Sequence, residues 1–154
     1  MAEGSSANPL GQLEGTLDEY FGKKAPALPQ NIREFIVKVA PYLTIIGIIF
    51  TVPAILLLLG IGSVATVLAP VGGAPAVTSV PTMWAGILLL IPVVVLEAMA
   101  VPGLFSRKAS AWRLVFWAQL ISIISNLVQF NIIGAIISAL IGFYILFQIK
   151  SFYK

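Results

Sequence analysis

Charged residues are almost absent from most of this chain. Residues 39–96 contain none, and residues 114–149 contain none either. The charged residues between positions 39 and 149 are Glu97, Arg107, Lys108 and Arg113. A water-soluble domain of this size needs charged side chains across its surface, so apolar runs this long indicate that lipid is the surrounding solvent.

Residues 8–40 form an amphipathic segment ahead of the apolar runs, whereas residues 1–7 are small and polar and are expected to be disordered. Asn8 and Pro9 are typical of a helix N-cap and of the first helical position. The apolar face of this helix consists of Leu10, Leu13, Leu17 and Tyr20 or Phe21. Its acidic residues would be repelled by anionic lipid, which favours a protein partner for residues 10–21.

A second amphipathic stretch directly precedes the first apolar run, after a linker at residues 25–29. Its apolar face contains Ile32, Phe35, Ile36 and Val39. Pro41 favours a break, which would let residues 28–40 lie on the membrane surface. Alternatively, the stretch forms the first water-facing turns of the next helix, and the sequence leaves both interpretations open.

The apolar runs divide into four predicted spans within a transmembrane domain at residues 41–154. Residues 70–81 contain three prolines, two glycines and no charge, which predicts a loop. The run 114–149 would be about 54 Å long as one helix, and a hydrocarbon core is only ~30 Å thick. We therefore predict a hairpin with its turn at residues 127–132. The four spans are then residues 42–69, 82–104, 111–127 and 132–149, in an all-α membrane bundle.

The positions of lysine and arginine support the same count and add an orientation. They precede the first span, lie between the second and third, and follow the fourth: Lys23, Lys24, Arg33, Lys38, Arg107, Lys108, Arg113, Lys150 and Lys154. The other two connections contain none, an alternation that predicts both termini in the cytoplasm. Arg107, Lys108, Arg113, Lys150 and Lys154 are expected to contact lipid headgroups rather than nucleic acid. The aromatic residues expected at the two interfaces are Trp112, Trp117, Phe152 and Tyr153 on the cytoplasmic side and Trp84 on the other.

Two stretches of the sequence resemble a known family. PQNIREFIVKVAPYLTIIG at residues 29–47 and NIIGAIISALIGFYILFQIKSFYK at residues 131–154 are similar to an uncharacterised family of small bacterial four-span membrane proteins with an amphipathic N-terminal segment. The resemblance covers most of residues 8–154. It implies a bacterial cytoplasmic membrane and no particular activity.

Glu97 is the one acidic residue inside a predicted span, roughly 10 Å from the cytoplasmic end of the helix. An ionised carboxylate at this depth costs a few kcal/mol, so Glu97 should be protonated, paired or in contact with water. It would serve either as a proton or cation site or as a hydrogen-bonded group that ties the helices together. We favour the structural role, with one of three partners: Gln119, Arg113 or Lys38.

The third span carries a polar stripe and the fourth a small-residue groove. The polar stripe consists of Gln119, Ser122, Asn126 and Gln129, on one helical face. It could line a hydrophilic pathway, but such residues more often form interhelical hydrogen bonds of roughly 1 kcal/mol each. The groove consists of Gly134, Ser138 and Gly142, whose spacing of four residues permits close approach of another helix, from the same chain or another subunit.

The residue types that are missing limit the chemistry. The chain contains no cysteine and no histidine, which excludes thiolate and imidazole catalysis and nearly all zinc, haem and iron–sulfur ligation. We therefore expect no enzymatic activity, no metal and no cofactor. The sequence favours a structural or interaction role in the membrane, as a homo-oligomer or as a subunit of a larger assembly. The alternative is an oligomeric ion or proton channel or small transporter that uses Glu97 and the polar stripe.

Overall fold

The helices of this chain follow one another with very short connections. The computed structural model describes residues 8–154, with the backbone alone at residue 76. Residues 1–7, which the sequence predicts to be disordered, lie outside the described residues. The α-helices are α1 (Pro9–Leu17), α2 (Gln30–Gly72), α3 (Ala74–Phe105), α4 (Ala109–Val128) and α5 (Ile132–Ile149). A π-helical turn, Asp18–Lys24, extends α1, and a 3₁₀ turn, Lys150–Phe152, follows α5. Residues 8–154 contain no strand.

Four of these helical segments are long and apolar enough to cross a membrane. They are Gln30–Gly72, Val77–Phe105, Ala109–Val128 and Ile132–Phe152. Helix α3 packs against both α2 and α4, and α4 packs against α5. The prediction of an all-α chain with four long apolar helices is therefore confirmed. The connection between α4 and α5 consists of residues 129–131, inside the predicted range 127–132.

Helix α2 continues without a break through Pro41. Its 43 residues would extend about 64 Å, roughly twice the thickness of a hydrocarbon core. Val37 and Pro41 are both buried, so packing on this side of the helix offsets the backbone hydrogen bond that proline removes. Of the two interpretations of residues 28–40, the structure adopts the helical extension, beginning at Gln30.

The loop predicted at residues 70–81 is wrong. Helix α2 ends at Gly72 and α3 begins at Ala74, so Gly73 alone forms the connection. Gly73 has φ 78° and ψ −170°, a backbone conformation that only glycine adopts at low cost. Pro75 lies in the first turn of α3, where the missing N–H has no helical partner to lose. Of the three prolines that suggested a loop, Pro75 therefore begins a helix, and Pro70 and Pro81 lie inside helices.

The hydrophobic core lies toward the end of the bundle that holds the α3–α4 connection and the C-terminus. Four of its buried aromatic side chains, Trp112, Phe116, Phe143 and Phe147, have ring centroids 5.3 to 6.2 Å apart in the contacting pairs. Trp112, which the sequence places at the cytoplasmic interface, is 3% exposed. Its indole Nε1 donates to Leu146 O at 2.8 Å, so the polar atom is satisfied inside the core.

Most of α2 contributes little to this core. Large apolar side chains along it are exposed, among them Phe50 at 73% and Val71 at 87%. An apolar surface of this extent is unfavourable in water and favourable in lipid. The exposed apolar side chains of α2 are therefore suited to contact with lipid rather than with water.

Candidate functional site

Glu97 lies on the face of α3 that also carries the buried Val93, Val94 and Ala100. Its own side chain is half-buried. Within residues 8–154 the carboxyl group forms no hydrogen bond and no ion pair. None of the three partners that the sequence suggested is bonded to it: Gln119, Arg113 and Lys38.

Gln119 bonds to α5 instead. Its Nε2 donates to the backbone oxygen of Ser138 at 2.8 Å and to Ser138 Oγ at 3.0 Å. Gly142 lies one helical turn further along α5, and a Cβ atom there would overlap the Gln119 amide. The absence of a side chain at Gly142 thus provides the space in which Gln119 crosses the helix. The first residue of the polar stripe and two residues of the small-residue groove form one interface between α4 and α5 of the same chain.

The other polar-stripe amides bond near the opposite end of α4. Asn126 Nδ2 donates to Ser122 O at 2.9 Å, and Asn131 Nδ2 donates to Asn126 Oδ1 at 2.9 Å. Gln129 Nε2 donates to Ser125 O and Oγ at 3.2 and 3.1 Å. The stripe therefore contains three amides that are bonded within the chain, one to α5 and two to residues four positions earlier in α4.

Two glycines contact these amides closely. A Cβ atom on Gly86 of α3 would meet the Gln129 amide, so Gly86 allows that side chain to lie against α3. Gly134 belongs to the helix cap rather than to an interhelical contact, because its N–H donates to Asn131 Oδ1 at 3.0 Å. Of the predicted groove, Ser138 and Gly142 contact another long helix, and Gly134 contacts the N-cap residue of its own helix.

The residues expected to contact lipid headgroups lie at one end of the bundle. Arg107, Lys108, Arg113 and Lys154 are exposed there. The C-terminal backbone is joined to the α3–α4 connection, since Lys154 N donates to Arg107 O at 2.9 Å and Ala109 N donates to Lys154 O at 3.1 Å. Lys150 is half-buried instead and lies 2.9 Å from a Glu14 carboxylate oxygen. The connections at the other end contain no charged residue.

The N-terminal segment is held against α5 by a residue that the sequence analysis did not identify. Gln148 is 3% exposed, its Oε1 accepts from Leu28 N at 3.1 Å, and its Nε2 donates to Phe21 O at 2.9 Å. Tyr144 Oη donates to Pro26 O at 2.7 Å. A lone amide in an otherwise apolar helix end was the signal in the sequence, because a buried amide needs partners.

Part of the acidic helix that is predicted to bind a partner protein contacts other residues of its own chain. Leu17 and Phe21 pack against the core, and Glu14 and Asp18 approach Lys150 at 2.9 and 3.9 Å. The remaining apolar residues of its predicted face stay exposed: Leu10, Leu13 and Tyr20. Asn8 caps α1 as predicted, since its Oδ1 accepts from Leu10 N at 3.3 Å.

Comparison with protein-family models, with characterised proteins and with solved structures finds no match to this chain. The resemblance to small bacterial four-span proteins therefore stays a prediction, and the function has to be argued from the residues of this chain.

Proposed function

We propose that this chain is a multi-pass protein of a bacterial cytoplasmic membrane with a structural or interaction role, and that it works as a homo-oligomer or as a subunit of a membrane assembly. No reaction is assigned to it, and the proposal includes neither a metal nor a cofactor. The exposed Leu10, Leu13 and Tyr20 of the N-terminal segment are proposed to contact a protein partner.

The single observation that carries this proposal is the difference between Glu97 and the amides of the neighbouring span. Gln119, Asn126 and Gln129 each have a bonded partner within the chain. Glu97 has none among residues 8–154, although it lies among apolar residues of α3. A carboxyl group at this depth requires a partner. Because its side chain is only half-buried, a group from another chain can supply one.

The proposed orientation rests on charge. The end of the bundle that carries Arg107, Lys108, Arg113 and Lys154 is rich in cations, and the connections at Gly73 and at residues 129–131 carry no charge. Cationic residues next to spans are retained in the cytoplasm. We therefore place the cationic end, and with it both termini, on the cytoplasmic side.

The second candidate is an oligomeric ion or proton channel, or a small transporter. Glu97 again provides the argument, since an unpaired acid in a span is a common component of proton and cation pathways. The polar stripe weakens this candidate, because Gln119 and Gln129 bond to their own chain rather than to a water-filled path. Conduction would then require Glu97 side chains from several chains around a shared axis.

Subunit counting in lipid bilayers tests the assembly proposal. The wild-type chain should form oligomers, Glu97→Gln should keep them because an amide retains hydrogen bonding, and Glu97→Leu should shift the population to monomers. Met99→Leu is the matched control, since Met99 is an exposed residue two positions away on α3. A wild-type chain that stays monomeric at every lipid-to-protein ratio, or Glu97→Leu oligomers equal to those of wild type, would contradict the proposal.

A flux measurement separates the two candidates. Liposomes that contain the wild-type chain and proton- and cation-sensitive dyes should show no flux above that of empty liposomes. A proton or cation leak that disappears in Glu97→Gln, while the protein remains folded and oligomeric, would favour the channel. In that case the charge of Glu97, rather than its hydrogen bonding, would be the functional property.

A further inference from the structure

A cleft of about 500 Å³ lies where the N-terminal segment meets the first turn of α2 and the end of α5. We refer to it as the basic cleft, because its charged lining residues are Lys23, Arg33, Lys150 and Asp18. Three cations and one carboxylate leave an excess of positive charge. The cleft lies at the same end of the bundle as the other cationic side chains.

Two polar atoms of residues that line the basic cleft are buried without a partner. Arg33 Nε and Tyr153 Oη form no hydrogen bond within residues 8–154. Tyr153 is 6% exposed, so its hydroxyl group has little contact with water. Burial raises the pKa of the Tyr153 hydroxyl above its ordinary value, partly opposed by the charge of Arg107, and the group is therefore a neutral O–H donor at pH 7. A buried donor without an acceptor is unfavourable and rare in folded proteins.

The cations of the cleft are not all neutralised by the chain. Lys150 Nζ lies 2.9 Å from Glu14 Oε1 and 3.9 Å from Asp18 Oδ1, and it also lies 5.0 Å from the Trp112 ring centroid. These contacts fix the position of the ammonium group. Lys23 and Arg33 form no ion pair with another residue in the described part of the chain. The cleft is therefore lined by one paired cation, by two cations without an ion pair, and by a tyrosine whose buried hydroxyl has no acceptor among the described residues.

We infer that the basic cleft binds a phosphate group, carried either by an anionic lipid headgroup or by a soluble molecule. A phosphate offers several acceptor oxygens, which suits a site whose lining residues Lys23, Arg33 and Tyr153 have donors without a partner within residues 8–154. Arginine in particular bonds phosphate through its planar set of N–H groups. Both the Arg33 guanidinium and the Tyr153 hydroxyl would obtain an acceptor. The excess of cations makes a metal ion an unsuitable ligand for this cleft.

Thermal unfolding of the full chain in detergent tests this inference. Short-chain phosphatidic acid, phosphatidylcholine with the same acyl chains, inorganic phosphate, and chloride at equal ionic strength are added separately. Stabilisation by phosphatidic acid alone assigns a lipid headgroup, and stabilisation by inorganic phosphate, alone or with phosphatidic acid, assigns phosphate as such. If neither stabilises the protein more than phosphatidylcholine and chloride do, the inference is wrong.

Three variants show whether the ligand occupies the cleft. Tyr153→Phe should weaken binding about three- to tenfold and leave the melting temperature without ligand unchanged or higher, because its hydroxyl has no partner in the chain. Arg33→Gln should weaken binding by about tenfold or more. Lys23→Gln removes an exposed cation of the cleft and serves if Arg33→Gln does not fold.

The matched control is Lys108→Gln, an exposed cation at the same end of the bundle that does not line the cleft. It should change the affinity by no more than about twofold, since exposed charges are screened by salt. Equal weakening by Lys108→Gln and by the cleft variants would indicate general attraction to a cationic surface and would overturn the inference.

Discussion

Gln119 and Ser138 join the third and fourth long helices, with the Gln119 amide donating to both the backbone oxygen and the hydroxyl of Ser138 at 2.8 and 3.0 Å. Gly142 provides the space for this side chain. One residue of the polar stripe and two residues of the small-residue groove therefore form a single helix contact. This contact uses the Gln119 amide, which a hydrophilic pathway would otherwise require, whereas Asn126 and Gln129 bond to residues of their own helix.

A methyl group at Gly142 should disturb this contact. Gly142→Ala places a Cβ atom against the Gln119 amide and should lower the free energy of unfolding by about 1–3 kcal/mol, as measured by denaturation in mixed micelles. Gly60→Ala is the matched control, because nothing lies within 4 Å of a Cβ at that position. The double variant Gln119→Ala/Gly142→Ala should be no less stable than Gln119→Ala. Equal effects of the two single glycine variants would argue against the contact.

Loss of the Trp112 indole N–H should weaken the aromatic core. Trp112→Phe removes a buried hydrogen bond to Leu146 O and part of the ring packing, and should cost about 1–3 kcal/mol of unfolding free energy. Trp117→Phe, at a half-buried position whose indole N–H has no partner within the described residues, should cost no more than about 0.5 kcal/mol. A measured order opposite to this one would contradict the role of Trp112 in the aromatic core.

Gln148 should control how firmly the N-terminal segment is held. Gln148→Leu leaves Leu28 N and Phe21 O without their partner, so amide hydrogens of residues 18–28 should exchange about tenfold faster. Hydrogen–deuterium exchange with mass spectrometry measures this effect peptide by peptide. Gln12→Leu changes an exposed glutamine whose side chain has no partner within residues 8–154 and should leave exchange unchanged. Unchanged exchange in Gln148→Leu would mean that other contacts hold the segment.

The orientation in the membrane can be measured with single cysteines, since the natural chain has none. Ala74 lies next to the Gly73 connection, and Ser110 and Ser151 lie at the cationic end; all three are exposed. An impermeant thiol reagent added to intact cells should label Ala74→Cys and should label Ser110→Cys and Ser151→Cys only after permeabilisation. Labelling of the latter two in intact cells, without Ala74→Cys, would reverse the orientation.

Properties that depend on solvent and on local spacing were predictable from the amino-acid sequence. The charge-free runs are enough to indicate four long apolar helices, because hydropathy reports which solvent a segment prefers. The start of α1 at Asn8 and Pro9 follows from capping chemistry that involves only adjacent residues. The α4–α5 connection follows from the limit that bilayer thickness sets on helix length.

The sequence was misleading where prolines were concerned. Pro41 favoured a break, and the prolines of residues 70–81 predicted a loop, yet both regions are helical apart from Gly73. Proline inside a helix costs free energy because it removes one backbone hydrogen bond. At Pro41, burial together with Val37 outweighs that cost. At Pro75 the cost does not arise, because the residue lies in the first turn of a helix.

The amino-acid sequence by itself determined which side chains need a partner, and only the tertiary structure decided which partner each one receives. Gln119 bonds to Ser138 rather than to Glu97. Gln148 bonds to Leu28 and Phe21, which precede it in the chain by 120 and 127 residues. Arg33 and Tyr153 line the same cleft from opposite ends of the sequence. The physical reason is that hydropathy and periodicity specify the face of a helix, whereas pairing depends on the rotation and depth at which whole helices pack.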